Sequence, residues 1–204
     1  MPPWRRSFRA VLEQNARLVE AVMALQGGQV FLDASKDTNR LRFLLDAGLW
    51  DLRVIYMIRD GRGAANSFMR HHGVPMAVAA REWRTTHQEC DRLVAGLPLD
   101  SVTTLHYEQL CEAPDAETAR ILRFLGLDPA LAAGDRRAAE HHILGNSMRL
   151  RASSEIRLDE KWRAALSAAQ LATFRRIAAD LNSRYRYGSS RRPVVPLPPS
   201  TFPD

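Results

Sequence analysis

The stretch Val54-Ile55-Tyr56-Met57-Ile58-Arg59-Asp60-Gly61-Arg62-Gly63 limits what this chain can fold into. Five apolar residues in a row, two of them β-branched at the start, do not alternate. Such a run reads as a strand buried on both faces, as in a parallel sheet covered by helices. Gly61 and Gly63 allow a tight turn and close backbone approach to a ligand. A helical pattern follows and carries Ser67 about one turn in. A helix beginning there points free N–H groups and its positive end at the turn. Arg59, at the strand's carboxyl end, adds a planar and permanently charged donor fork. Strand tip, arginine, helix start and hydroxyl together describe a phosphate site. An arginine that only caps the strand and pairs with Asp60 is the competing reading.

The rest of the chain alternates in the same way. Residues 7–26 carry apolar side chains at helical spacing and end at Gly27-Gly28; 29–34 read as a strand and 38–47 as a helix ending at Gly48. After the strand at 52–58 comes a helix near 63–70. A longer one is opened by Pro75 and closed by Gly96. A third strand is expected at 101–106, then a helix from Pro114 to Leu125. Residues 134–156 are irregular. Ser167-Ala168-Ala169-Gln170 forms a capping box for a last helix to about Leu181. Residues 1–188 are expected to form one domain, and the Pro-rich residues 189–204 a mobile tail. Strands alternating with helices give a parallel α/β sheet, where ligands gather at the carboxyl ends of the strands.

Composition narrows the function classes. Hydrophobic content of 46% and charged content of 25% are globular values, and the net charge is +6. All but two basic residues are arginine, and they are scattered rather than gathered on one face. That argues against a nucleic-acid partner and is compatible with a cavity for a polyanionic nucleotide. Cys90 and Cys111 lack metal-ligand spacing. The adjacent pairs His71-His72 and His141-His142 point to different faces, so no metal is expected. No stretch has the length of a membrane span, and the first residues lack the apolar core of a signal peptide. A cytoplasmic protein with ordinary thiols is expected.

Four segments, in order, resemble those of the sulfotransferases that use 3′-phosphoadenosine-5′-phosphosulfate. Arg59 and Ser67 match the family's arginine and serine, eight positions apart, that hold the 3′-phosphate. Asp33-Ala34-Ser35-Lys36-Asp37 is similar to the Asp-x-Ser-Lys segment of many bacterial members. The resemblance implies that Lys36 stabilises charge on the bridging oxygen, and it places Asp37 near the family's base. Tyr107-Glu108-Gln109-Leu110 with Phe124-Leu125-Gly126 matches the Tyr-Glu-x-Leu segment and its trailing Phe-Leu-Gly. It implies that Tyr107 lies by the adenine. Glu108 reads as structural, satisfying backbone donors of the following loop. Gly145-Asn146-Ser147-Met148-Arg149 resembles a loop that covers the nucleotide, with Arg149 as a second contact to the 3′-phosphate.

The family also has an opening strand and a phosphosulfate loop. Every glycine here lies at or after position 27, and none precedes Thr-Thr, Lys-Ser or Lys-Thr. The chain starts in what looks like the helix before the second strand. The expectation is therefore an N-terminally truncated three-layer α/β fold of the P-loop NTPase-like sulfotransferase kind. Its function would be sulfuryl transfer from 3′-phosphoadenosine-5′-phosphosulfate to a hydroxyl or amine of a small-molecule or carbohydrate acceptor. The alternatives are an inactive nucleotide-binding or interaction module of the same descent and, further off, a dinucleotide-binding domain.

Overall fold

The computed structural model describes residues 3–133 and 156–187, with side chains described from residue 10. Helix α1 (Pro3–Gln26) and α2 (Thr38–Ala47) precede strand β1 (Val54–Ile58). Then come α3 (Gly61–His72), α4 (Met76–Val94), β2 (Val102–His106), α5 (Tyr107–Glu112) and α6 (Pro114–Phe124). A single turn, α7 (Trp162–Ala165), leads into α8 (Ala168–Arg184). Strands β1 and β2 pair in parallel, with Val54 opposite Val102 and Ile58 opposite His106. The α/β reading of the sequence holds. Among the described residues no helix is long and apolar enough to cross a membrane.

One expected strand is absent. Residues 29–34 are not in a ladder, and Val30, Phe31 and Leu32 are 41%, 41% and 73% exposed. An extended segment becomes a strand only when a neighbour takes its N–H and C=O groups. Among the described residues β1 pairs with β2 alone, and Met57 of β1 is 49% exposed. The apolar run at 29–34 thus has the composition of a strand without a partner.

The core lies on the Tyr56 and Ile58 side of β1. Small residues let the helices approach: Ala65 of α3, Ala79 and Ala80 of α4 and Ala178 of α8 are all essentially fully buried. Trp83, Phe174 and Leu181 fill the space between them. Gly61 is required by this packing, since a Cβ there would lie 2.7 Å from Phe174 Cζ and 2.9 Å from Trp83 Cε2. The last helix begins at the expected capping box, with Ser167 Oγ accepting from the Gln170 N–H and Gln170 returning a bond to the Ser167 N–H. It runs past Leu181 to Arg184 and so places buried Asn182 inside the helix.

Candidate functional site

The strand tips are tied together by a buried polar network. Asn182 Oδ1 accepts the Gly61 N–H at 2.8 Å, and Asn182 Nδ2 donates to the Tyr187 carbonyl at 2.8 Å. Glu108 Oε1 accepts the Asp60 N–H at 3.1 Å, and Glu108 Oε2 receives a very short bond from the Tyr187 hydroxyl. The same hydroxyl lies 3.0 Å from His106 Nδ1. Burial, then the Glu108 bond, pushes the Tyr187 phenol far up, so it stays a neutral donor. Burial holds the His106 imidazole below its usual range. Glu108 is structural, as read, but its backbone partner is the tip of β1, not the loop that follows it.

This network changes how a phosphate could be held. The Gly61 N–H is used by Asn182. Asp60 caps α3: its Oδ1 takes the Arg62 N–H at 2.9 Å, and its carbonyl takes the Ala64 N–H at 3.0 Å. The start of α3 therefore does not offer the ready set of free donors that the sequence suggested. Asp60 also pairs with Arg62, whose guanidinium lies 4.4 Å over the Trp162 ring. Arg59 is not the partner of Asp60.

Arg59 is held separately, as a platform. Its guanidinium lies 4.6 Å from the Tyr107 ring centre, a cation–π contact. One nitrogen donates to the Asp159 carbonyl at 2.9 Å and lies 3.5 Å from Asp159 Oδ2. The Tyr107 hydroxyl donates to the Arg157 carbonyl at 3.2 Å and accepts the Asp159 N–H at 3.1 Å, which fixes the ring. Gly63 makes room for the arginine, since a Cβ there would fall 3.2 Å from Arg59 Nε and 3.1 Å from Trp162 Cδ1. Ser67 is one turn beyond Gly63, on the same face of α3, and is exposed. The structure thus puts Arg59, Tyr107 and the Ser67 face of α3 at one strand tip. Asp159 was not singled out in the sequence. Burial raises its pKa, but the Lys161 N–H and the Arg59 charge outweigh this and leave it low, so it is an anion beside Arg59.

Lys36 and Asp37 lie in the irregular segment that leads into α2. Lys36 is exposed, and no described contact joins it to Arg59 or Tyr107. It adopts a left-handed backbone, φ 60°, unusual for a side chain with a Cβ. Asp37 caps α2, with Oδ1 accepting from Asn39 N–H at 2.8 Å and Arg40 N–H at 3.3 Å. The strain at Lys36 gives a prediction. A left-handed residue with a Cβ costs about 1–2 kcal/mol, so Lys36→Gly is expected to leave stability unchanged or raise it by about 1 kcal/mol. Urea unfolding measures this, and a loss beyond about 1 kcal/mol would show that the lysine side chain supports the fold. Arg149 lies outside the described residues.

Residues 5–130 match a family model described as "Sulfotransferase family". No curated protein sequence matches the chain. Among solved structures, the chain is similar to the sulfotransferase domain from the Synechococcus PCC 7002 olefin synthase. Identity there is 23% and the TM-score 0.57, over 76% of this chain and 56% of that domain. A sulfotransferase domain from the curacin biosynthetic pathway is 18% identical, with a TM-score of 0.47 over 72% of this chain and 58% of that one. The chain spans little more than half the length of either domain.

Proposed function

The chain belongs to the sulfotransferase family, and from that premise we propose that it takes part in sulfuryl transfer from 3′-phosphoadenosine-5′-phosphosulfate to a hydroxyl or amine acceptor. The observation that carries the nucleotide site is Arg59, laid over Tyr107 and packed closely against Gly63. In this reading Arg59 and Ser67 seat the 3′-phosphate, Arg149 adds a second contact, and Tyr107 offers its other ring face to adenine. The co-substrate supplies an electrophilic sulfur on a bridging oxygen. Lys36 stabilises the negative charge left on that oxygen when the acceptor's oxygen or nitrogen bonds to sulfur. Asp37, with one oxygen committed to its helix, keeps the other for the acceptor's proton. The acceptor is a small molecule or a carbohydrate.

The reading includes a third layer and further strands. Among the described residues β1 has one unpaired edge, and exposed Met57 and the exposed apolar run Val30–Leu32 support a larger sheet than β1 and β2 alone. Nucleotide binding without turnover is the second reading. Its support is that the bonds to Asn182 and Asp60 already occupy donors at the start of α3. Titration with 3′,5′-adenosine bisphosphate tests the site common to both. A charge-assisted hydrogen bond is worth about 1.5–3 kcal/mol, so Arg59→Ala is expected to weaken binding at least about tenfold. Ser67→Ala should cost less. Asp159→Asn should tighten binding, because it removes an anion from beside Arg59. A folded Arg59→Ala protein that binds like the parent would remove the assignment.

A further inference from the structure

Helix α1 runs for 24 residues, and among the described residues no other helix or strand packs extensively against it. A helix draws most of its stability from burying an apolar face, so an open face of that kind calls for an occupant. Val11, Leu18 and Leu25 form such a face and are 51%, 60% and 85% exposed. They recur every seven residues. With Asn15 and Val22 between them the steps alternate four and three, which are the a and d positions of a heptad: Asn15 and Val22 at a, the other three at d. The sequence carries the register upstream with Phe8 at a and Trp4 at d. Charge falls outside the seam. From residue 10 to 26 the charged residues are Glu13, Arg17 and Glu20, all exposed and all at the outer c and f positions.

We infer that α1 is one strand of a parallel two-stranded coiled coil with a second copy of this chain. Asn15 carries the choice of partner. A single Asn at an a position costs stability in an apolar seam, and in return it fixes register and strand number by facing another amide. An identical helix, parallel and in register, sets Asn15 against Asn15. The neighbouring layers fit two strands as well. A β-branched residue at a with leucine at d favours a dimer, and Val22 lies between Leu18 and Leu25. The seam is open along its length. Leu25 is the most exposed of the three d residues, although it stands at the end where α1 joins the rest of the chain. On one flank Gln14 and Ala21, at g, are exposed and uncharged, so nothing there repels a copy. On the other flank Leu12 and Val19, at e, are partly buried and broaden the apolar face. The pair is related by a twofold axis along the seam, each copy presenting the same residues. The inference does not depend on the sulfotransferase reading.

Sedimentation equilibrium of the whole chain over a micromolar concentration series tests this. The 23.0 kDa chain is expected to pass into a species of twice that mass as concentration rises. Leu18→Glu should weaken the association at least about a hundredfold, because it sets two like charges against each other in the seam. Glu20→Gln, on the outer face, should leave it within about twofold. Leu25→Cys reads the orientation. In a parallel pair the two copies of residue 25 face each other, and oxidised glutathione should join them through a disulfide; in an antiparallel pair they lie at opposite ends. The parent, which has only Cys90 and Cys111, is the control and should stay unlinked. The cross-link decides the matter if the glutamate variant does not fold. A monomer throughout the series, an association that survives Leu18→Glu, or an associated Leu25→Cys protein that does not cross-link would overturn the inference. A monomer would assign the open row to another part of the protein or to a different chain.

Discussion

Between pH 6.5 and 4 the protein is expected to lose roughly 3 kcal/mol of stability through His87 alone. Burial lowers this imidazole from 6.5 to about 4, with Asp91 opposing the shift. In that window the unfolded chain takes up a proton at His87 that the folded chain refuses. The unfolded state then binds more protons, so stability falls as pH falls. The contribution is complete above pH 6.5 and gone once pH drops through the folded value. The carboxylates held low act further down; Asp180, paired with Arg84, is lowered to about 2. Urea unfolding at closely spaced pH values, with His87→Gln as the comparison, reads the effect. A parent protein as stable at pH 4.5 as at pH 7, or a variant with the same acid loss, would show that His87 is solvated and not buried.

Asn182→Ala is expected to destabilise the fold by about 2–3 kcal/mol and to loosen the strand-tip site with it. The amide spans two elements that are far apart in the chain, taking the Gly61 N–H and giving to the Tyr187 carbonyl. Alanine leaves the Gly61 N–H buried without a partner, against Trp83 and Phe174 where no side chain and little water fit. Gly61 also opens the helix that carries Ser67, so the loss reaches the nucleotide seat. Thermal unfolding measures the stability, and Asn182→Asp tests the geometry, since it keeps the acceptor and loses the donor. An alanine variant within about 0.5 kcal/mol of the parent would contradict the network.

The parts of the fold legible in the sequence were those fixed by neighbouring residues. Val54–Ile58 reads as a strand because it is a short apolar run rich in β-branched residues and ended by a glycine turn, although Met57 stays exposed, and Ser167 and Gln170 mark a helix start by bonds that span three residues. The family pattern singled out Arg59 and Tyr107 separately, and the structure lays one over the other. Residues 29–34 mislead because an apolar run carries no information on whether a neighbouring strand is there. Glu108 was rightly taken as structural, but its partner Asp60 lies 48 residues back. Asn182 and Tyr187 gave no signal: a single polar residue near a helix end looks like surface until its helix is seen to run on through Arg184. The donors at the start of α3 look free in sequence, and only the fold shows Asn182 and Asp60 consuming them. Asp159 is an ordinary acid in a row of charges, and only its distance from Arg59 gives it meaning.

The central claim is that Arg59 and the Ser67 face of α3 form a seat for a 3′-phosphate. Calorimetric titration of 3′,5′-adenosine bisphosphate beside 5′-AMP tests it most directly, because the two ligands differ only by that phosphate. The account predicts that the bisphosphate binds at least about tenfold more tightly, and that this preference disappears in Arg59→Ala. Equal affinity for the two ligands, or a preference that survives the loss of Arg59, would contradict it.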